Sequence, residues 1–310
     1  MGEPDVILLM GATATGKTDL ALAIAERFDV EIVSVDSALI FREMDIGTAK
    51  PDATMLAAAP HHLIDILDPA QSWSVWDFVE QCRRLIGEIH ARGRIPLLAG
   101  GTMMYFNAFE HGLNRLPAAD SALRLKLERE LREQGLEAMH RRLARVDAAS
   151  AERIRDTDTQ RVQRALEVFE LTGKPLSRLQ RQATRGYPGP LFKLHLEAGD
   201  RAQLHQRIET RFHAMLEQGF IEEVTRLRRR GDLDLSLPSM RCVGYRQAWQ
   251  FLDGEFDHAT MVDRAVAATR QLAKRQITWL RKQVDARTHD CLNYRKDDIF
   301  RQIESAFSGL

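Results

Sequence analysis

An apolar run, Val6-Ile7-Leu8-Leu9-Met10, leads directly into Gly11-Ala12-Thr13-Ala14-Thr15-Gly16-Lys17-Thr18, and Asp19 to Phe28 follows with helical spacing. The order strand, G-x-x-x-x-G-K-T loop, helix is compatible with few folds. Such a loop turns its consecutive backbone amides inward at the head of a helix, concentrating positive potential where phosphate oxygens would rest. Lys17 adds a full charge, and the Thr18 hydroxyl is placed to hold Mg²⁺. The pattern predicts a phosphate-binding loop on the first strand of a parallel sheet. It does not say whose phosphates are held.

The rest of the first third alternates strand and helix signals. Glu31-Ile32-Val33-Ser34-Val35 reads as a second strand, Ser74 to Ala91 as a helix, and Arg94-Ile95-Pro96-Leu97-Leu98-Ala99 as a buried strand ending in Gly100-Gly101-Thr102. Connections of this length give right-handed parallel crossovers, with ligands along the carboxyl edge of the strands. Asp36 stands at the tip of the second strand. There it can bind Mg²⁺, orient a substrate, remove a proton, or simply cap the next turn. Thr102 and the loop Asp45-Ile46-Gly47-Thr48-Ala49-Lys50-Pro51 converge on the same edge.

From Leu116 the composition shifts to Leu, Arg, Glu and Gln with few β-branched residues. Ser121 to Leu143, Ala151 to Leu171 and Lys174 to Gln182 read as helices. Gly186-Tyr187-Pro188-Gly189-Pro190 closes the segment, and Leu191 to Leu196 resumes a core strand. The expected fold is α/β, a P-loop NTPase-like parallel sheet flanked by helices and interrupted by a small all-helical insertion. Residues 1–115 form the first part of the core, 116–190 the insertion, and 191–310 the second, mostly helical part.

Formal charge is zero over 310 residues, yet it is unevenly placed: residues 1–115 carry 9 basic and 16 acidic side chains, and residues 116–310 carry 35 and 28. A polyanion, if bound, belongs against the later segments. The three cysteines, Cys82, Cys242 and Cys291, lie far apart, which suggests neither a disulfide framework nor a zinc site and points to a reduced, cytoplasmic setting. No stretch is long and apolar enough to span a membrane, and the first residues do not read as a signal peptide. Adjacent histidines at His61-His62 project to opposite sides of an extended segment, which argues against a shared metal. Trp73, Trp76, Tyr105 and Phe106 read as core aromatics.

Three basic elements stand out in the later part. Asp158-Thr159 caps a helix that sets Arg161 and Arg164 on one face. Arg241-Cys242-Val243-Gly244-Tyr245-Arg246-Gln247 is a Gly-containing turn between arginines. Arg270 to Lys282 is a basic helix whose Ile277, Leu280 and the following Val284 can face a core. Each alone fits a solvated helix face as well as a nucleic-acid surface.

Taken in order, G-A-T-A-T-G-K-T, D-S-x-x-x-F-R-x-M-D-I-G-T-A-K-P, H-H-L-I-D, G-G-T-x-x-Y, Q-R-x-x-R-A-L-E-V, R-C-V-G-Y-R-Q and Q-L-A-K-R-Q-x-T-W-L-R resemble the tRNA dimethylallyltransferase (isopentenyltransferase) family. The set runs from Gly11 to Arg281. The resemblance implies transfer of a dimethylallyl group from dimethylallyl diphosphate to the exocyclic amine of an adenine beside the anticodon. It implies Mg²⁺ as cofactor and the tRNA anticodon stem-loop as partner. Gly11 to Thr18 would hold diphosphate, with Arg211 in support and Lys17, Thr18 and Thr102 assisting the reaction. Asp36 would be the general base. Asp36, Ser37, Ala38, Leu39 and Thr102 would meet the extruded adenosine. Arg124, Gln160-Arg161-Val162-Gln163-Arg164, Arg241-Cys242-Val243-Gly244-Tyr245-Arg246 and Lys274-Arg275-Gln276-Ile277-Thr278-Trp279-Leu280-Arg281 would hold the surrounding RNA.

The chain departs from that pattern at Ala38-Leu39-Ile40-Phe41, where Gln, Val and Tyr would follow the variable position, at Ala12 in place of Pro, and at Met103-Met104. The first change alters the groups available to an adenine. A P-loop kinase using ATP, with Asp36 as base for a hydroxyl, is the alternative, although it leaves the basic later segments unexplained; the loop could also admit nucleotides without using them. A non-catalytic RNA-binding protein is a third reading. A monomer is the default expectation.

Overall fold

The computed structural model describes residues 3–114, 116–117, 120–181 and 184–307. They divide into two compact units, one of residues 1–107 with 188–310 and one of Ala108–Tyr187. The first contains six parallel strands: β1 (Val6–Gly11), β2 (Val30–Val35), β3 (His61–His62), β4 (Ile95–Gly100), β5 (Leu191–Glu197) and β6 (Arg287–Asp290). Their spatial order is β3-β2-β4-β1-β5-β6. Every residue of β1 and β2 is buried, as in a parallel sheet covered on both faces; β1 reads as an unbroken apolar run, whereas β2 also buries Glu31 and Ser34.

Register puts the functional loops level with one another. Met10 and Val35 both pair with Gly100, so the segments leaving β1, β2 and β4 emerge side by side at the carboxyl edge. On one side of the sheet Ile7, Leu9, Ile32, Leu97 and Leu194 pack with Leu20 and Ile24 of the helix Lys17–Arg27 and Ile299 and Ile303 of the helix Lys296–Ala306. A second core joins the helices Arg201–Glu217, Phe220–Arg229, Tyr245–Leu252 and His258–Leu280. Burying each Leu or Ile side chain stabilises by roughly 1.5–3 kcal/mol, so both helical layers are firmly tied.

Of the two outer strands, one was read only as an extended segment and the other not at all, because neither is apolar. His61–His62 is only two residues long, and Arg287–Asp290 reads R-T-H-D. Val284 is 93 % exposed rather than in the core, because the long helix ends at Leu280 with Arg281 as its cap. Tyr105 and Phe106 are buried as expected, with Tyr105 stacked on Phe78.

The second unit is helical around Leu127, Met139, Leu143, Val162, Leu166 and Leu176. Its long segments are more broken than expected. Gly135 divides Ser121–Gln134 from Leu136–Val146, and Asp147 and Asp158 each cap a new helix, Ala148–Arg153 and Thr159–Thr172. After Pro175 only Leu176–Leu179 is helical; Gln182, the expected end of that helix, lies outside the described residues, as does Arg115. The unit also starts earlier than the composition change at Leu116. Phe109 stacks on Tyr187, and Leu113 pairs through backbone and hydroxyl with Thr184, so the two chain ends of the unit close on each other.

Candidate active site

At the end of β1 the chain turns through Ala12 to Gly16 into the helix Lys17–Arg27. Ala14 and Gly16 both take positive φ, 64° and 81°, and glycine meets that demand without strain. Thr15 Oγ1 donates to the Ala12 carbonyl at 2.8 Å, and Lys17 Nζ donates to the same oxygen at 2.6 Å. The ammonium is thereby held over the loop. Burial lowers the Lys17 pKa to about 8, opposed by the negative charge of Asp36 and reinforced by Arg211.

Two further strand tips are fixed to this loop and to each other. Gln276, from the helix His258–Leu280, accepts from Thr13 N at 2.9 Å and donates to the Gly101 carbonyl at 2.8 Å. Thr102 N donates to the Val35 carbonyl at 3.1 Å, and Thr102 Oγ1 accepts from Ser37 N at 3.1 Å. Asp36 Oδ1 accepts from Ala38 N at 2.8 Å and, more weakly, from Leu39 N at 3.4 Å. The turn-capping role and the cavity-facing position therefore coexist in one side chain.

The helix Arg201–Glu217, capped by Asp200, supplies two cations. Arg211 Nη2 donates to Thr13 Oγ1 at 2.6 Å. Arg207, one turn earlier on the same face, approaches Gly16: a Cβ there would be 3.7 Å from Arg207 Nη2. Arg207 is the cation that sequence reading missed, although its i, i+4 spacing from Arg211 was visible.

All these groups open onto a cavity of about 1470 Å³ lined by Thr13, Ala14, Gly16, Lys17, Thr18, Asp36, Ser37, Ala38, Leu39 and Thr102. Arg207, Arg211, Arg241, Cys242, Val243, Gly244, Tyr245, Arg275, Gln276 and Trp279 complete the wall from the later helices. Gly11, Ala12 and Thr15 of the same loop do not line the cavity, and Ala12 and Thr15 are buried. Lys274, Thr278 and Arg281 are exposed, as is Arg246, but they do not line the cavity.

Some residues of the expected RNA-contacting spans are unavailable for contact. Val162 and Leu280 are buried in apolar cores, and the polar groups of Tyr245 and Gln276 are engaged inside the protein. Ile277 packs partly against the same core as Ala273. Helical periodicity turns these positions inward while their neighbours face out.

Within the second unit, Arg161 is 75 % exposed at its side chain, 3.2 Å from Asp158. Arg164 instead donates to Glu167 at 2.6 Å and to the Pro117 carbonyl at 2.7 Å, and Arg124 donates to Glu167 at 2.9 Å. Burial disfavours the charged form of Glu167, but hydrogen bonds from Arg164 and Arg124 outweigh it and hold the carboxyl below its usual range. Gln160 is exposed and Gln163 half-buried. His61 and His62 have separate partners: His61 Nδ1 pairs with the Ala59 carbonyl and His62 Nε2 with Glu31.

A parallel sheet whose first strand ends in such a loop, with a carboxylate and a hydroxyl from the neighbouring tips, defines a P-loop α/β protein with a group-transfer type of site. The sequence matches the family described as IPP transferase over residues 39–283. It is 57% identical to the tRNA dimethylallyltransferase of Cupriavidus taiwanensis, covering 97% of this chain and 95% of the relative. It is 58% identical to that of Alkalilimnicola ehrlichii, covering 91% and 89%. Among solved structures, the full-length tRNA isopentenylpyrophosphate transferase from Bacillus halodurans is similar with a TM-score of 0.70 and 35% identity, over 97% of this chain and 95% of that one. The chain belongs to the IPP transferase family.

Proposed function

We propose that the protein transfers a dimethylallyl group from dimethylallyl diphosphate to the exocyclic amine of the adenosine immediately 3′ of a tRNA anticodon, releasing diphosphate. The observation that carries this reading is the juxtaposition of a phosphate loop and Asp36 on one cavity, in a chain of this family. Family membership gives the kinase alternative no support.

Diphosphate bound at Gly11–Thr18 meets the loop amides, Lys17, Arg207 and Arg211. As the allylic carbon–oxygen bond breaks, these donors stabilise the charge that grows on the departing oxygen. The adenine amine has a delocalised lone pair and attacks well only if it loses a proton as the new carbon–nitrogen bond forms. Asp36 accepts that proton, and Thr102, fixed by Ser37, holds the turn that aims it.

The donor set fits Mg²⁺, since the Thr18 hydroxyl and the diphosphate offer only hard oxygen ligands. Mg²⁺ held there by Thr18 and the donor would supply neutralisation of part of the leaving-group charge. Arg241, Arg275 and Trp279 bring RNA to the cavity. On the helical unit of Ala108–Tyr187, the exposed Arg161 is a further cation for a nucleic-acid phosphate. An anticodon loop presents an adenine that is cheaper to extrude than one in a duplex. The protein acts as a monomer in the cytoplasm. Its three cysteines are free, and no helix among the described residues is long and apolar enough to cross a membrane.

The test is incubation of the purified protein with Mg²⁺, prenyl-labelled donor and unmodified tRNA. Label recovered on the adenosine beside the anticodon is the expected result. Phosphate transfer from ATP to a small acceptor, without tRNA labelling, would overturn the proposal.

A further inference from the structure

Glu223 is 1 % exposed, yet its carboxylate is filled by hydrogen bonds from two segments distant in sequence. Oε2 accepts from Asp45 N at 3.0 Å and Ile46 N at 2.8 Å, while Oε1 accepts from Gly47 N at 3.2 Å and Tyr245 Oη at 2.5 Å. Four neutral donors thus converge on one buried anion. A buried charge costs several kcal/mol unless its acceptor sites are satisfied, so a carboxylate here is a demanding way to join a helix to a loop. It has one property that apolar packing lacks: it fixes three successive backbone amides in a single orientation.

Both segments so joined are walls of the cavity. Gly47, Thr48 and Ala49 line it from one side, and Arg241 to Tyr245 line it from the other. The fit between them is tight. A Cβ at Gly47 would be 2.3 Å from Phe220 and 2.6 Å from Tyr245, whose rings meet edge to face with centroids 5.2 Å apart. On its far side the same loop is tied to the turn after Asp36, because Lys50 donates to the Phe41 carbonyl and to Asp45 and Asp65, and Asp65 N donates to the Leu39 carbonyl.

We infer that Glu223 is a positioning residue for the acceptor: by clamping the 45–47 amides to Tyr245 it holds the cavity wall, from the Arg241 turn to the Asp36 turn, in the shape that receives RNA. This rests on the reading that the Arg241–Tyr245 turn faces RNA. The donor loop, by contrast, is held by Gln276 and Arg211 and does not depend on the clamp. Tyr245 is kept protonated for its part, because burial, and then the negative charge of Glu223, push its hydroxyl far above the usual phenol range.

The experiment is steady-state kinetics of Glu223→Gln with an anticodon stem-loop and with dimethylallyl diphosphate varied separately. Gln keeps the shape but replaces one acceptor with a donor facing the Gly47 amide. The KM for RNA should rise about tenfold or more, with the KM for the donor changed less than about twofold. Equal changes in both, a fall in kcat alone, or no change would overturn the inference. Tyr245→Phe, which removes only the fourth donor, should show the same selectivity at about threefold, and its failure to do so also overturns the inference, even if Glu223→Gln does not fold. Arg241→Ala serves as the control. If it raises the RNA KM while both clamp variants do not, the clamp is refuted and the RNA-facing turn stands; if it has no effect, that turn's assignment fails.

Discussion

The side-chain amide of Gln276 reads both faces of a gap: its oxygen takes the Thr13 amide of the phosphate loop at 2.9 Å while its nitrogen satisfies the Gly101 carbonyl at the neighbouring strand tip. A residue 263 positions away in sequence therefore sets how far the diphosphate site stands from the tip that carries Thr102.

Gln276→Ala should cost stability and donor affinity together. Leaving a buried amide and carbonyl unpaired costs about 1–3 kcal/mol for each group. A lower melting temperature and a roughly tenfold weaker dissociation constant for pyrophosphate, measured by calorimetry, are expected. Gln276→Glu should do no better, since its second oxygen would face the Gly101 carbonyl.

Arg207 and Arg211 should act on the donor and not on RNA. Hydrogen bonds to charged groups contribute about 1.5–3 kcal/mol, so Arg207→Ala should raise the donor KM roughly 10- to 100-fold. Because Arg211 also holds Thr13, Arg211→Ala should add a loss of thermal stability that Arg207→Ala lacks. Equal melting temperatures for the two variants would refute that difference.

Binding of diphosphate should weaken as pH rises through about 8, the value to which burial brings Lys17. Above it the free ammonium loses its proton and with it the full positive charge in the loop. The sign for stability is opposite. The unfolded lysine keeps its proton to its ordinary value of 10.5, so between about 8 and 10.5 the unfolded state binds more protons and this group's contribution to folding improves with pH. Pyrophosphate titrations across this range test the first statement, and Lys17→Arg, which stays charged, should flatten the slope.

The phosphate loop, β1, β2, β4 and β5 were legible because the loop has fixed spacing and these strands are mainly apolar, even with Glu31 and Ser34 in β2 and Lys193 and His195 in β5. β6 was not, since Arg287–Asp290 is polar and is a strand only by pairing with β5, Leu194 beside Arg287. The placement of Thr13, Asp36 and Thr102 along the carboxyl edge was equally legible. Arg207 and Glu223 were not, because each lies in an ordinary amphipathic helix and gains meaning only from what the tertiary fold brings to it. The contiguous RNA spans show the reverse error: a motif names neighbours together, while the helix turns Val162 and Leu280 away from the surface.

Arg161 and Arg164 should separate in a way their shared motif does not suggest. Arg161 faces solvent, whereas Arg164 is engaged with Glu167 and Pro117. Arg161→Ala should flatten the salt dependence of tRNA binding by about one phosphate contact and leave the melting temperature unchanged. Arg164→Ala should lower the melting temperature by leaving the buried Glu167 carboxylate with only Arg124 and the Asp120 amide to offset its charge. Circular dichroism melts and filter binding at several salt concentrations distinguish the two.

Asp36 carries two duties, and the choice of substitution decides which one is measured. Oδ1 holds the Ala38 and Leu39 amides, so Asp36→Ala removes the proton acceptor and also releases the turn beneath the adenine. Asp36→Asn keeps an oxygen for those amides and removes only the basicity. A positioned base contributes about 10²–10⁴-fold, so Asn should lower kcat by at least about 10²-fold with little change in the KM for RNA. Ala should lower kcat similarly and raise that KM as well. If Asn turned over as fast as the unaltered protein, Asp36 would be a turn cap alone, and the proton from the adenine amine would have to leave by another route.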